Sequence, residues 1–165
     1  MKGSTSEMPI TNNVTRMLAA KGIPFTAHEL PEEKLGGMDA ARLLKVEENQ
    51  VFKTIVGLPG DGGKPILALV PAPSQVDLKL LGRALGGKKL QLATQAQAEK
   101  LTGLKVGGIS PLALIGGGFT VVMDDSAFLF NEIYLSGGQR GLNISLSPKA
   151  IQELTRARTA SIRAS

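Results

Sequence analysis

Four short runs of the chain combine residue types that can do chemistry. The first is Val51-Phe52-Lys53-Thr54, which sets a lysine inside an apolar, β-branched stretch. Strand alternation puts Phe52, Thr54 and Val56 on one face and Val51, Lys53 and Ile55 on the other. A lysine there either faces solvent from an edge strand or projects into a cleft, where its ammonium suits a phosphate or a developing oxyanion. The second run is Gly107-Gly108-Ile109-Ser110-Pro111. Consecutive glycines let backbone amides approach a ligand and the proline stiffens the exit, so the run either offers N–H donors to a carbonyl oxygen or is a tight turn. The third runs from Ser136 to Gly141 and is followed by Asn143. Arg140, beside glycine, has room to present its fork to a carboxylate or phosphate; the alternative is a hairpin turn with a solvated charge. The fourth is a basic strip, Lys79, Arg83, Lys88 and Lys89, which either tracks an RNA backbone or is a solvated helix face.

Absences narrow the chemistry. Cysteine does not occur, which excludes disulfides, thiolate nucleophiles and Cys-ligated zinc. With His28 as the one histidine, a multi-His metal site is excluded too, and no cofactor is expected. His28 lies in an extended segment with no Ser or Asp placed by motif to form a triad, so its expected role is structural. Gly-x-Ser-x-Gly, HExxH and P-loop signatures do not occur. An enzyme built from these residues must rely on backbone donors, a lysine and the substrate's own groups, which suits an already activated substrate such as an ester. The formal charge of +5 is compatible with a polyanionic partner. No stretch approaches the ~20 apolar residues of a membrane span, and the lack of disulfides fits a cytoplasmic protein.

These residues need elements to hold them. Thr11 or Asn12 can cap a first helix with Val14, Met17 and Leu18 on one face and Gly22 as its stop. Residues 25–30 read as extended, 31–37 as a polar loop and 38–44 as a short helix. Strands at 51–58 and 66–70 flank a Pro-Gly-Asp-Gly-Gly-Lys-Pro turn and form a hairpin. Asp77 caps a helix stopped by Gly86 and Gly87, a short strand spans 89–92, and Thr94 with Gln97 makes a capping-box pattern for the next helix. A glycine-rich loop leads to strands at 119–123, 131–136 and 142–146. Ser147 and Pro148 open the last helix. Recurrent hairpins among helices predict an α+β fold, a mixed, curved sheet or half-open barrel with helices packed around it. One domain over 10–158 is expected, with a disordered leader at 1–9 and a tail at 159–165; Arg156, Arg158 and Arg163 read as a solvated end.

Taken together, the motif runs resemble the YbaK/ProX (YbaK/prolyl-tRNA-synthetase-associated) family of aminoacyl-tRNA editing proteins. The matching segments are Val51-Phe52-Lys53-Thr54, Gln75-Val76-Asp77-Leu78-Lys79 with Ala84-Leu85-Gly86-Gly87-Lys88-Lys89, Thr102-Gly103 to Gly107-Gly108-Ile109-Ser110-Pro111-Leu112, and Ile133-Tyr134-Leu135-Ser136-Gly137-Gly138-Gln139-Arg140-Gly141-Leu142. Their order and spacing fit over roughly residues 12–155. The resemblance implies metal-free deacylation of mischarged aminoacyl-tRNA in trans, with prolyl-tRNA synthetase as a candidate partner. It is nearest to the Cys-tRNA(Pro)/Cys-tRNA(Cys) deacylases, whose implied chemistry is attack by the substrate's own thiol on its ester. It implies catalytic roles for Lys53 and Gly108, and substrate contacts from Thr54, Gly107, Ile109, Ser110, Pro111, Ser136, Arg140 and Asn143. Three positions depart from that branch: an acidic residue is Asn143 here, and aromatic positions are Leu30 and Gly36.

Overall fold

The computed structural model describes residues 10–164, so the leader expected at 1–9 lies outside the described residues. Local signals set most elements. Asn12 caps α1 (Asn13–Ala20): its side chain accepts from the Thr15 amide while the Thr15 hydroxyl accepts from the Asn12 amide. Val14 and Leu18, one turn apart, bury the same face. β1 (Thr26–Glu29) and α2 (Gly37–Leu44) follow. β2 (Phe52–Pro59) and β3 (Ile66–Pro71) form the expected hairpin. Asp77 starts α3 (Leu78–Ala84) by accepting from the amides of Lys79 and Leu80. β4 (Leu90–Leu92) leads into α4 (Gln95–Thr102), where the Thr94–Gln97 capping box forms. Then come β5 (Thr120–Asp124), β6 (Ile133–Ser136), β7 (Leu142–Leu146), α5 (Pro148–Thr155) capped by Ser147, and β8 (Arg158–Ala160).

The mixed α+β class is as expected, with the strands divided between two open sheets. One has the order β4-β2-β3-β5-β8, the other β1-β7-β6. β2 is antiparallel to both neighbours, while β3, β5 and β8 run parallel. A single parallel bridge from Val51 to Tyr134 joins the sheets. β3 is buried on both sides: Leu67 and Leu69 enter the main core with Val121 and Met123, whereas Ile66, Ala68 and Val70 pack with Leu81 of α3 and Ile162. That explains its uninterrupted apolar sequence. The smaller sheet is two-sided. Ile133, Leu135, Leu142 and Ile144 enter the main core, and alternation turns His28, Tyr134, Ser136, Asn143 and Ser145 to the opposite face. The register sets His28 and Ser136 against Asn143, and Tyr134 against Ser145. No helix among the described residues is long and apolar enough to cross a membrane.

The C-terminal segment corrects an expectation. Instead of a free tail from 159, the chain adds β8 beside β5 and buries Ile162 completely. The anchor is Asp124, itself fully buried. Its carboxylate accepts from the amide and hydroxyl of Ser126 and from the Ile162 amide at 2.9 Å, and pairs with Arg163 Nε at 3.1 Å. Arg163 is therefore an ion-pair partner and no solvated end. Arg158-Thr159-Ala160 is too short and polar to show strand alternation, which is why the strand escapes a pattern reading. Replacing Asp124 with alanine strands buried donors, and urea unfolding of Asp124→Ala is expected to show a loss of about 3 kcal/mol.

Candidate active site

The site begins at an uncovered strand edge. β4 pairs with β2 only at Gly57, Leu58 and Pro59. Between that pairing and the Val51–Tyr134 bridge, this side of β2 has no strand partner among the described residues. A cavity of about 370 Å³ lies there, lined by Lys53, Thr54 and Ile55 of β2. Its remaining walls come from four places: the segment with Leu30, Leu35 and Gly36; Thr94 and Gln95 at the start of α4; Gly107 and Ile109; and Ser136 with Asn143.

Backbone packing fixes those walls. A Cβ on Gly108 would stand 2.9 Å from backbone atoms of Gln139 and Arg140, so only glycine allows the 105–108 turn to press against the β6–β7 hairpin. Arg140 Nε donates to the Val106 carbonyl at 2.8 Å and locks the contact. The Leu30 amide donates to the Gly141 carbonyl at 2.9 Å, and Lys34 Nζ donates to Gln95 Oε1 at 2.9 Å, tying the 30–37 segment to the hairpin and to α4. A Cβ on Gly37 would fall 2.5 Å from Ala72 Cβ, which lets α2 start hard against the end of the β2–β3 hairpin.

The lining is mostly aliphatic, with one cation, Lys53, and one exposed carboxylate, Glu33. Lys53 is half-buried, and burial alone lowers the pKa of its ammonium. Among the described residues it has no ion-pair partner. The first turn of α4 adds the partial positive charge of a helix N-terminus. Ser136 Oγ accepts from the Gly138 amide. Asn143 is buried, and its Oδ1 has no hydrogen-bond partner among the described residues. Such a site suits a small acyl group beside an anionic or oxyanionic neighbour.

Of the residues singled out from sequence, Lys53, Thr54, Gly107, Ile109, Ser136 and Asn143 meet at the cavity. So do Leu30 and Gly36, two of the positions that depart from the resembled branch. Four residues stand behind the lining instead. The Gly108 amide donates to the Lys105 carbonyl at 2.7 Å, so it is committed within its own turn and not available as an oxyanion donor. Ser110 is fully buried and caps the 3₁₀ turn Pro111–Ala113 through the Leu112 amide, with Pro111 buried at the first position. Arg140 spends Nε on Val106 and packs along Gly107. The amides of Gly107 and Ile109, by contrast, donate to no other described residue. None of the basic strip lines the cavity, and Lys88 is paired with Asp61 at 3.0 Å. Sequence reasoning missed Leu35, Thr94 and Gln95; the capping box locates the start of α4, but nothing in it says that this helix end faces Lys53. Because a Gly108 methyl group would force the turn and hairpin apart, Gly108→Ala is expected to lower stability by about 2 kcal/mol in denaturant titration.

Known proteins share this fold. The family model of the aminoacyl-tRNA editing domain matches residues 37–154. The candidate Cys-tRNA(Pro)/Cys-tRNA(Cys) deacylase EbsC of Enterococcus faecalis is 32% identical over 152 residues, covering 91% of this chain and 92% of that protein. A proline–tRNA ligase of Streptococcus gordonii is 32% identical over 76 residues, 46% of this chain but 12% of the ligase. Among solved structures, the hypothetical protein APE2540 superposes with a TM-score of 0.84 at 26% identity, covering 93% of this chain and all of that one. A candidate trans-editing enzyme for prolyl-tRNA synthetase superposes with a TM-score of 0.77 at 25% identity, covering 94% of this chain and 99% of that one.

Proposed function

The chain belongs to the aminoacyl-tRNA editing domain family, and from that premise we propose that it is a deacylase acting in trans to remove a mischarged small amino acid from tRNA. The observation that carries the reading is the unpaired, half-buried Lys53 sharing a small aliphatic cavity with the free amides of Gly107 and Ile109. The aminoacyl group occupies the aliphatic part. Lys53 holds the terminal adenosine through a phosphate or the ester's leaving oxygen. The Gly107 and Ile109 amides take the carbonyl oxygen as it gains charge, the part first assigned to Gly108. We place the editing domain over residues 10–163, since the Asp124 anchor draws the last strand into the fold. Mischarged tRNA is the partner, prolyl-tRNA synthetase the candidate source of specificity, and translation in the cytoplasm the setting.

Cysteine is the amino acid proposed, supported by the likeness to EbsC. In this scheme the substrate thiol gives up its proton and attacks its own ester carbonyl. The C–S bond forms as the C–O bond to ribose breaks. The ribose oxygen takes a proton and the amino acid leaves as a thiolactone. The enzyme contributes position and oxyanion stabilisation. A second reading, another small amino acid such as alanine released by water, arises because Leu30 and Gly36 stand in the lining where the resembled branch has aromatic side chains, so the walls that would fit cysteine are altered. The two substrates differ by a single sulfur atom, and even a whole methylene is worth only about 1–3 kcal/mol in an apolar pocket, so selectivity between them is set by a few wall atoms.

Incubating the protein with Cys-tRNA(Pro), Ala-tRNA(Pro) and other misacylated tRNAs, and following the remaining ester, is expected to show accelerated loss of at least one. Tight binding of charged tRNA with unchanged ester lifetime would identify a non-catalytic binding module instead. Lys53→Ala is expected to lower kcat/KM roughly a hundredfold. Burial lowers the Lys53 pKa, so its charge is present at low pH and lost as pH rises through that lowered value, earlier than for an exposed lysine. After correction for spontaneous hydrolysis, wild-type activity should fall on the alkaline side, and Lys53→Arg, which keeps its charge, should lack that fall.

A further inference from the structure

We propose that the carboxamide oxygen of Asn143 accepts a hydrogen bond from the α-amino group of the aminoacyl ester, making the site selective for acyl groups that carry a free amine. The inference rests on the deacylase reading of the cavity. Asn143 sits on the middle strand of the smaller sheet, 6% exposed and in the cavity lining. Its Oδ1 is buried without a partner. Buried polar atoms are almost always satisfied, and a covered one left without a partner on a cavity-lining residue points to a donor supplied from outside the fold, met as a ligand displaces what covers it. An amide oxygen can only accept. Of the neighbours opposite it in the register, Ser136 Oγ accepts from the Gly138 amide and His28 Nε2 meets Ser145 Oγ at 2.9 Å, and neither bonds to Oδ1.

Within the acyl group of an aminoacyl ester, the α-amino group is the donor present whatever the side chain. It also suits the electrostatics. Lys53 already places a cation in the cavity, and the one carboxylate of the lining, Glu33, is exposed and makes no ion pair with it. A second cation in that low-dielectric space would be repelled, so the substrate amine enters uncharged. A neutral acceptor such as Asn143 serves a neutral amine without requiring charge on either. The contact lies two bonds from the ester carbonyl and therefore orients the reacting carbon as well.

The test compares esters of one tRNA that differ only in the amine: alanyl against propionyl, and cysteinyl against 3-mercaptopropionyl. The wild-type protein is expected to prefer the amine-bearing member by roughly ten- to a hundredfold in kcat/KM, the loss that follows when a buried acceptor is left without its donor. Asn143→Leu, of similar volume but without the oxygen, should bring that ratio to about threefold or less. Asn143→Ala is read the same way should the leucine variant fail to fold. A preference that survives in either variant overturns the proposal. Equal losses on both members of a pair also overturn it, because the contact would then be to the ribose or to the fold itself. Cleavage of both members without preference by the wild type removes this inference alone. No cleavage of any ester in the wider panel removes the deacylase reading and this inference with it.

Discussion

Everything at the cavity depends on one close contact, the seating of Gly108 against the backbone of Gln139 and Arg140. Two chain segments about thirty residues apart meet there with no side chain between them, and the Arg140–Val106 hydrogen bond fixes their sliding position. Because Gly107 lies on the cavity side of this junction and Ser136 with Asn143 on the strands that feed it, the junction sets the distance between opposite walls. The segment with Leu30 and Gly36 is then draped over it, tied at Gly141 and Gln95. A contact made of backbone against backbone has little slack, which is what a site that must hold a carbonyl carbon in place requires.

Behind that junction the two hydrophobic clusters divide the labour. The main core joins both sheets and α1, α4 and α5, and so holds the hairpin and the glycine turn in one body. The second cluster, between the far face of the larger sheet and α3, supports β3 from behind and with it the neighbouring strand that bears Lys53. Asp124 closes the second cluster by pulling Ile162 inside. Lys53 is thus mounted on a strand whose neighbour is packed from both sides, so its half-buried position is held by the sheet and needs no salt bridge of its own.

Local codes in the sequence were readable because their physics is local. The caps at Asn12, Asp77, Thr94 and Ser147 stand where the side-chain chemistry places them, and the hairpin of β2 and β3 follows from apolar runs around a glycine-rich turn. Lys53 could be placed on a strand, but whether it met solvent or a cleft depended on how little of β2 the three-residue β4 covers, a tertiary fact. Gly108 shows the same limit. A pair of glycines announces close backbone approach without saying to what; here the partner is the protein's own hairpin, and the amides without an acceptor among the described residues are those on either side. Ser110 likewise reads as a polar group beside a glycine turn, while in the fold it is a fully buried cap. β8 stayed hidden because its anchor is a carboxylate nearly forty positions earlier in the chain.

The bare edge of β2 has a consequence for how this cavity can change. Main-chain groups of residues 53–55 are supplied by whatever amino acids stand there, so substitution cannot delete them. The walls are different: Leu30, Leu35 and Gly36 belong to a connecting segment whose side chains are interchangeable at modest cost to the sheets. Retargeting the pocket to a larger or smaller acyl group is therefore an alteration of a few loop side chains over an invariant peptide floor, and a designer seeking new selectivity has a short stretch of chain on which to work.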